Sequence, residues 1–200
     1  MKQLLHINSS LWGEQSRSSQ LADSLVSQLS EQLQAVEVIK RDLATDPIPH
    51  LTAQAYDAFS VPAEERSLEQ QQALALSDKL TDELRMADAI VLTAPMYNFG
   101  LPSALKAWVD HVARVNVTFA YGEKGMQGLL AGKKVYVIST RGGKHAGTER
   151  ELQTQLFRLV FGMMGITDIE MIYAEGLAYG EEAATESLNQ AQEAIRAVAA

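Results

Sequence analysis

Ala89-Ile-Val-Leu-Thr-Ala-Pro-Met-Tyr-Asn-Phe-Gly-Leu-Pro-Ser-Ala-Leu-Lys-Ala-Trp-Val-Asp110 is the stretch that decides the fold predicted for this chain. Its first six residues, 89–94, are apolar or β-branched, which is typical of a strand covered on both faces of a parallel sheet. Pro95 ends this strand because it cannot donate to the sheet ladder. Beyond Pro102, apolar residues recur at helical spacing. The stretch therefore predicts a strand, a turn and a helix in direct succession.

Met96, Tyr97, Asn98 and Phe99 occupy the turn between this strand and this helix. Ligands of open α/β sheets bind at the carboxyl ends of the strands, which is where this turn begins. The four residues offer a thioether, two aromatic rings, a side-chain amide and backbone N–H groups. We expect the turn to contact a planar ligand.

Strands and helices alternate along the whole chain. The predicted strands cover residues 3–7, 36–39, 89–94, 135–139 and 169–173; the predicted helices cover 17–34, 149–164 and 181–198, with two more that begin at Ser67 and near Pro102. Parallel neighbours need a right-handed crossover, which a helix supplies. We therefore predict one α/β domain over residues 1–200. It is a flavodoxin-like, five-stranded parallel sheet in the order 2-1-3-4-5, with helices on both faces.

The composition excludes several classes of function. The net charge is −8 and no basic stripe is visible, which argues against nucleic-acid binding. The chain has no cysteine, so disulfides, thiolate metal sites and cysteine nucleophiles are excluded, and no histidines stand at metal-site spacing. The first residues lack the pattern of a signal peptide, and no apolar run approaches the ~20 residues that span a bilayer. We expect a cytoplasmic protein with no metal and no membrane partner.

Two segments stand outside the regular alternation. Residues 42–66 form a polar connection longer than the usual ~2–6 residues, and we interpret them as a lid, as an interface arm, or as a plain surface insertion. Residues 117–128 are rich in glycine and carry aromatic side chains, which indicates a loop.

The loop after the first strand, 8–19, is rich in hydroxyl groups. Ser10, Ser16 and Ser18 offer hydroxyls, Arg17 offers a charged fork, and the helix start adds free backbone N–H groups. Together these groups suit a phosphate monoester, although Ser16 or Ser18 could instead simply cap the helix. Neither a Gly-x-Gly-x-x-Gly nor a Walker A pattern follows the strand. A single terminal phosphate is therefore favoured, and flavin mononucleotide (FMN) fits.

The turn Thr140-Arg141-Gly142-Gly143 follows the fourth predicted strand. Adjacent glycines allow a close backbone approach and direct N–H groups at a ring carbonyl or nitrogen, where they would stabilise the negative charge of a reduced flavin. The alternative is a merely flexible turn. His145 follows as a candidate proton donor or substrate contact, or as a solvated surface histidine.

These motifs together resemble one family, the FMN-dependent NADH:azoreductases, also called FMN-dependent NADH:quinone oxidoreductases. The resemblance runs essentially end to end; its motifs are Ser9-Ser10 with Ser16-x-Ser18, Ala94-Pro-Met-Tyr-Asn-Phe99, Thr140-Arg-Gly-Gly143 with His145, and Ala174-Glu-Gly-Leu-Ala-Tyr-Gly180. The chain departs from the more frequent family pattern at Arg17, Ser19 and Thr140. The resemblance implies a homodimer with one FMN per subunit and active sites at the subunit interface. It places the phosphate at Ser10 and at Ser16 to Ser18, and the flavin ring at Met96 to Phe99 and Thr140 to Gly143.

The resemblance also implies a reaction. Two electrons pass from NADH or NADPH through FMN to quinones and aromatic azo compounds by a ping-pong mechanism. Asn98 is expected to hydrogen-bond near the reactive edge of the ring, and Phe119 or Tyr121 to cover the pocket from the partner subunit. A rival interpretation is a flavodoxin-type electron carrier that serves protein partners, and a third is a regulator that binds a nucleotide or a sugar phosphate.

Overall fold

Strands and helices alternate in the computed structural model, which describes residues 2–32, 36–123 and 125–199. The strands are β1 Lys2–Asn8, β2 Val36–Asp42, β3 Ala89–Thr93, β4 Phe119–Gly122, β5 Gly125–Gly128, β6 Lys134–Thr140 and β7 Asp168–Ala174. The helices are α1 Arg17–Gln32, α2 Ala53–Ala58, α3 Leu68–Met86, α4 Ser103–Val112, α5 Gln153–Met163 and α6 Glu181–Val198. The predicted end of the first helix, residues 33–34, lies outside the described residues.

The main sheet has five parallel strands in the order β2-β1-β3-β6-β7. The predicted flavodoxin-like α/β architecture and its five-stranded parallel sheet are confirmed. The strand numbers differ from the predicted 2-1-3-4-5 because β4 and β5 form a separate antiparallel pair that stands between β3 and β6 in the chain.

Helices cover both faces of this sheet because its strand residues alternate between two cores. In β3, the side chains of Ile90 and Leu92 join one buried cluster, with residues of α3, α4 and α5. Val91 points to the opposite face and joins a second cluster, with residues of α1 and α6. A strand buried on both sides must carry apolar residues continuously, which is what the quoted stretch shows.

Part of the predicted loop 117–128 is a β-hairpin. Phe119 pairs with Gly128, and the two strands run antiparallel from there; Lys124 lies outside the described residues. The base of the hairpin is anchored on the body of the protein, since the Leu130 amide donates to the carbonyl of Met164 at 2.8 Å. The backbone of Gly128 crosses that of Gly165 so closely that a Cβ at 128 would overlap it.

The polar segment 42–66 packs on the body of the protein, where the helix α2 lies against α3. His111 Nε2 lies 3.1 Å from the carbonyl oxygen of Pro49, and the Arg114 guanidinium stands over the Phe59 ring, 4.7 Å from its centroid. These contacts tie the segment to the end of α4 and indicate a packed insertion.

No helix among residues 2–32, 36–123 and 125–199 is long and apolar enough to cross a membrane.

Gly128→Ala should destabilise the fold. Its Cβ would meet backbone atoms of Gly165, which cannot rotate away, so overpacking should lower the free energy of unfolding by roughly 1–3 kcal/mol. Gly162→Ala is the matched control, because Gly162 lies in α5 with open space around it, and it should stabilise by about 0.5–1 kcal/mol. Urea unfolding of both variants measures the difference, and equal stabilities would contradict the close crossing.

Candidate functional site

The loops after β1, β3 and β6 meet at one edge of the sheet and enclose a cavity of about 400 Å³. The segment after β7 contributes one residue to its wall. The lining residues are Ser10, Trp12, Gln15, Ser16, Arg17, Ser18, Pro95, Met96, Tyr97, Thr140, Arg141, Gly142 and Leu177. The structure thus brings nine of the predicted site residues together, from three separate parts of the chain.

Asn8 organises the first loop. Its buried Oδ1 accepts hydrogen bonds from the Ser10 amide at 3.2 Å, the Ser19 hydroxyl at 2.8 Å and the Thr93 hydroxyl at 3.0 Å. Its Nδ2 donates to Asp42 at 3.1 Å. One side chain at the end of β1 therefore links the first loop to α1, β3 and β2.

The start of α1 presents free donors. The Ser16 hydroxyl accepts from the Ser19 amide at 3.1 Å, so Ser16 does cap the helix, as the alternative interpretation of this loop supposed. The amides of Arg17 and Ser18 donate to no other described residue. The buried Ser18 hydroxyl lies 3.1 Å from that of Ser16. Free amides at a helix N-terminus, with a hydroxyl and the exposed Arg17 cation nearby, can bind an anion.

The second loop is a tight turn held in an unusual backbone conformation. The amide of Tyr97 donates to the Gly100 carbonyl at 3.3 Å, and the Gly100 amide donates to the Tyr97 carbonyl at 3.0 Å. Between them Asn98 has φ 51° and Phe99 has φ 64°, the positive values of a type I′ turn. Asparagine tolerates this region, whereas phenylalanine adopts it at a cost of roughly 1–2 kcal/mol. The turn directs the side chains of Asn98 and Phe99 outward into solvent.

Tyr97 joins the second loop to the first. Its hydroxyl accepts from the Leu11 amide at 3.3 Å and lies 3.5 Å from the Ser10 hydroxyl. The second loop is also joined to the third, because the Met96 amide donates to the Thr140 carbonyl at 2.9 Å.

The third loop pairs with the segment after β7. The carbonyls of Arg141 and Gly143 accept from the amides of Leu177 at 3.2 Å and Gly176 at 2.9 Å. The amides of Gly142 and Gly143, by contrast, have no acceptor within the described part of the chain. Gly142 lines the cavity, so its N–H group can donate to a ligand there; Gly143 follows it directly.

The Arg141 side chain is committed to the protein itself. Its guanidinium donates to Glu151 at 3.2 Å and to the Ser139 hydroxyl at 2.8 Å, and lies 3.6 Å from Glu175. It also stands 4.9 Å from the Tyr173 ring centroid. Since the side chain is only 1% exposed, its charge stabilises the surrounding loops, and direct contact with a cofactor stays a prediction.

Six predicted residues do not line the cavity. Phe99 and His145 contact each other edge to face, with ring centroids 5.5 Å apart, and Gly143 lies beside the imidazole. Phe119 and Tyr121 lie on the β4–β5 hairpin, where Phe119 is buried and Tyr121 is 70% exposed. The sixth is Asn98.

Four lining residues were not among the predicted site residues: Trp12, Gln15, Pro95 and Leu177. Gln15 belongs to the short turn before α1, and a reading of all polar side chains in that loop would have included it. Leu177 follows the fifth strand of the main sheet, and the rule used for the other strands also applies to its carboxyl end.

Comparison with known proteins shows the family to which the chain belongs. A family model described as a flavodoxin-like fold matches residues 2–199. The FMN-dependent NADH:quinone oxidoreductase of Burkholderia pseudomallei is 48% identical over 198 residues, 99% of this chain and 100% of the relative. The chain belongs to this oxidoreductase family. A protein of the same name from Alcanivorax borkumensis is 46% identical over 97% of this chain and 98% of its own length.

Solved structures agree on the fold of the family. An azoreductase from Bacillus anthracis matches with a TM-score of 0.90 and 24% identity, over 100% of this chain and 99% of that one. A Bacillus anthracis FMN-dependent NADH-azoreductase in complex with FMN matches with a TM-score of 0.85 and 23% identity, over 100% of both chains. At this identity the likeness establishes the fold alone.

In this member of the family, no cluster of three or more histidine, aspartate or glutamate side chains among the described residues could hold a metal ion. His6 lies buried in β1, and burial lowers the pKa of its imidazole below the usual 6.5, more than the nearby Asp23 raises it.

Because Phe99 has a positive φ, glycine should be more stable than alanine at this position, the reverse of the usual order. Phe99→Gly and Phe99→Ala both remove the ring, but only glycine relieves the backbone strain. We expect the glycine variant to be more stable by about 1 kcal/mol, whereas at an ordinary loop position alanine is the more stable by ~0.4–1 kcal/mol. Thermal unfolding of the pair decides, and the ordinary order would contradict the left-handed conformation.

Proposed function

We propose that this protein is an FMN-dependent oxidoreductase that transfers two electrons from NADH or NADPH to quinones and aromatic azo compounds. The observation that carries the proposal is the cavity, whose lining combines apolar side chains with backbone amides that have no acceptor among the described residues. The names of relatives 46–48% identical over nearly the whole chain support FMN, NADH and quinone. The extension to azo compounds rests on the motifs shared with azoreductases.

The start of α1 would hold the FMN phosphate. The free amides of Arg17 and Ser18 point out of the helix N-terminus, where its dipole favours an anion. The Ser18 and Ser10 hydroxyls and the Arg17 guanidinium add charge-assisted donors. Ser16 would contribute indirectly, because its hydroxyl already caps the helix.

The second and third loops would hold the flavin ring. Pro95, Met96 and Leu177 supply apolar surface for a planar ring. The free amides of Gly142 and Gly143 supply donors for its polar edge, and such donors favour negative charge that develops during reduction. We therefore assign the phosphate to the start of α1 and the ring to the second and third loops.

Bound FMN supplies the hydride chemistry that links a reduced nicotinamide to a two-electron acceptor. The chain's own residues bind and orient: Asn98 would donate a hydrogen bond near the reactive edge of the ring, and His145 would contact the substrate or hold a proton. Donor and acceptor would take the same place against the ring in turn, which gives ping-pong kinetics.

A homodimer would complete the site. Tyr121 and Met126 are cross-strand partners near the tip of the β4–β5 hairpin, and both are exposed. The base of the hairpin is anchored, so it presents these side chains on a firm support. We propose that Tyr121, supported by the buried Phe119 behind it, covers the cavity of the partner subunit.

Ser18→Ala should weaken FMN binding. The buried hydroxyl is lost from the anion end of the cavity, and a hydrogen bond to a charged group contributes about 1.5–3 kcal/mol. Fluorescence titration of the apoprotein with FMN measures the change. Ser16→Ala is the control: it should cost ~1 kcal/mol of stability through the lost cap with a smaller loss of affinity. Unchanged affinity in Ser18→Ala would remove the phosphate from this loop.

The function itself is tested by mixing the purified FMN-loaded protein with NADH and menadione. We expect rapid NADH oxidation without any second protein, and parallel double-reciprocal lines when both reactants are varied. An azo dye should consume twice as much NADH per molecule as a quinone does.

Other results would contradict this function. A yellow protein that does not oxidise NADH would favour the electron carrier, and a protein that takes up no FMN would favour the regulator. Intersecting double-reciprocal lines would exclude alternate binding of donor and acceptor.

A further inference from the structure

Gln153 lies beneath the second loop, at the start of α5, and is 1% exposed. Its Nε2 donates towards three backbone carbonyls, those of Ala94 and Pro95 at 3.3 Å and that of Gly100 at 3.0 Å. These carbonyls stand at both ends of the 95–100 turn. A single side-chain amide thus hydrogen-bonds to both ends of the strained turn.

The other end of the same amide reaches the third loop. Gln153 Oε1 accepts from the Ser139 hydroxyl at 2.8 Å, and that hydroxyl accepts from Arg141 at 2.8 Å. Three carbonyls on one side and a donating hydroxyl on the other leave one orientation for the amide. The amide is therefore a bridge of fixed polarity between the two loops.

The bridge continues to the far side of the site. Arg141 pairs with Glu151 and Glu175, and Glu175 Oε1 accepts from the amides of His145 at 2.7 Å and Ala146 at 2.8 Å. A continuous polar chain therefore runs from the 95–100 turn, through Gln153, to the loop that carries His145.

We propose that Gln153 is a positioning residue for the oxidoreductase reaction. It sets the separation between the 95–100 turn and the 140–143 turn, and with it the width of the part of the cavity that takes the ring. This inference rests on the proposed function. Gln153 is not among the residues that line the cavity; it acts through the backbone groups it holds.

The contacts at position 153 require an amide, because they need a donor for the carbonyls and an acceptor for the Ser139 hydroxyl. Methionine has a similar volume but would leave the carbonyls and the Ser139 hydroxyl without their partner. An ionised glutamate would face three carbonyl oxygens, whereas a protonated glutamate could donate to one of them. Gln153→Met therefore removes the bridge, and Gln153→Glu makes it dependent on protonation.

The test compares Gln153→Met, Ser139→Ala and their double variant with Ser77→Ala. Ser77 is a matched control because its buried hydroxyl bonds to the His111 carbonyl and to Arg114, away from this chain of contacts. The readouts are FMN affinity, the visible spectrum of bound FMN, and kcat and KM at saturating FMN.

We expect Gln153→Met to weaken FMN binding about tenfold, to shift the flavin spectrum and to lower kcat more than it raises KM. Ser139→Ala should weaken FMN binding less. The loss of affinity in the double variant should be smaller than the product of the two single losses, because both changes interrupt the same series of polar contacts. Ser77→Ala should lower the melting temperature and leave FMN affinity and spectrum as in the wild type.

Gln153→Glu gives an independent readout that a purely structural role would not move. Burial beside three carbonyl oxygens should raise the pKa of this carboxyl above its usual ~4.3. Relative to the wild type, the FMN affinity of Gln153→Glu should therefore improve as the pH falls from about 8 to about 5. A parallel pH profile in both proteins would overturn the proposal, and so would a wild-type spectrum, affinity and kcat in Gln153→Met. Failure of the wild type to take up FMN would overturn the proposed function as well.

Discussion

The arrangement of the site depends on one constraint: β1, β3 and β6 are adjacent and parallel, so their carboxyl ends meet at one edge of the sheet. Hydrogen bonds continue beyond the strand pairing, since the Ser9 amide donates to the Thr93 hydroxyl at 2.7 Å and the Met96 amide to the Thr140 carbonyl at 2.9 Å. Each loop therefore leaves the sheet already joined to its neighbour. A ligand that spans all three meets a surface whose parts have little freedom to separate.

Within these loops, some backbone N–H groups donate to the protein itself and others have no acceptor among the described residues; the second set determines what the cavity can bind. The amide of Ser19 is satisfied by the Ser16 cap, and that of Met96 by Thr140. The amides at Arg17 and Ser18, and those at Gly142 and Gly143, have no acceptor in the described chain. Arg17, Ser18 and Gly142 line the cavity, so the cavity offers unused N–H donors from two of its loops to a ligand that carries acceptors.

The sequence predicted most of the fold and most of the polar residues that line the cavity, because both depend on local patterns. Continuous apolar runs identified the strands, and the carboxyl-edge rule identified their loops. The β4–β5 hairpin was missed because its turn carries no standard two-residue signal. Long-range geometry was also beyond reach: Gln153 reaches its carbonyl partners across 53 to 59 positions of sequence. Arg141 was predicted to contact the flavin as part of the 140–143 turn, but the direction of its side chain depends on Glu151 and Glu175, which no spacing rule connects to it.

The buried polar chain beneath the site has a physical reason for its position. A strained turn such as 97–100 relaxes unless its surroundings hold it, and apolar packing alone does not orient carbonyl groups. Gln153 orients them through directional hydrogen bonds, and the Ser139 hydroxyl fixes the Gln153 amide in turn. The ion pairs of Arg141 prevent this series of contacts from ending in an unpaired buried charge. Removal of a single member would leave its neighbours desolvated without a partner, so the chain acts as a unit. That cooperativity is the physical basis on which we propose that Gln153, although buried, influences the shape of the cavity.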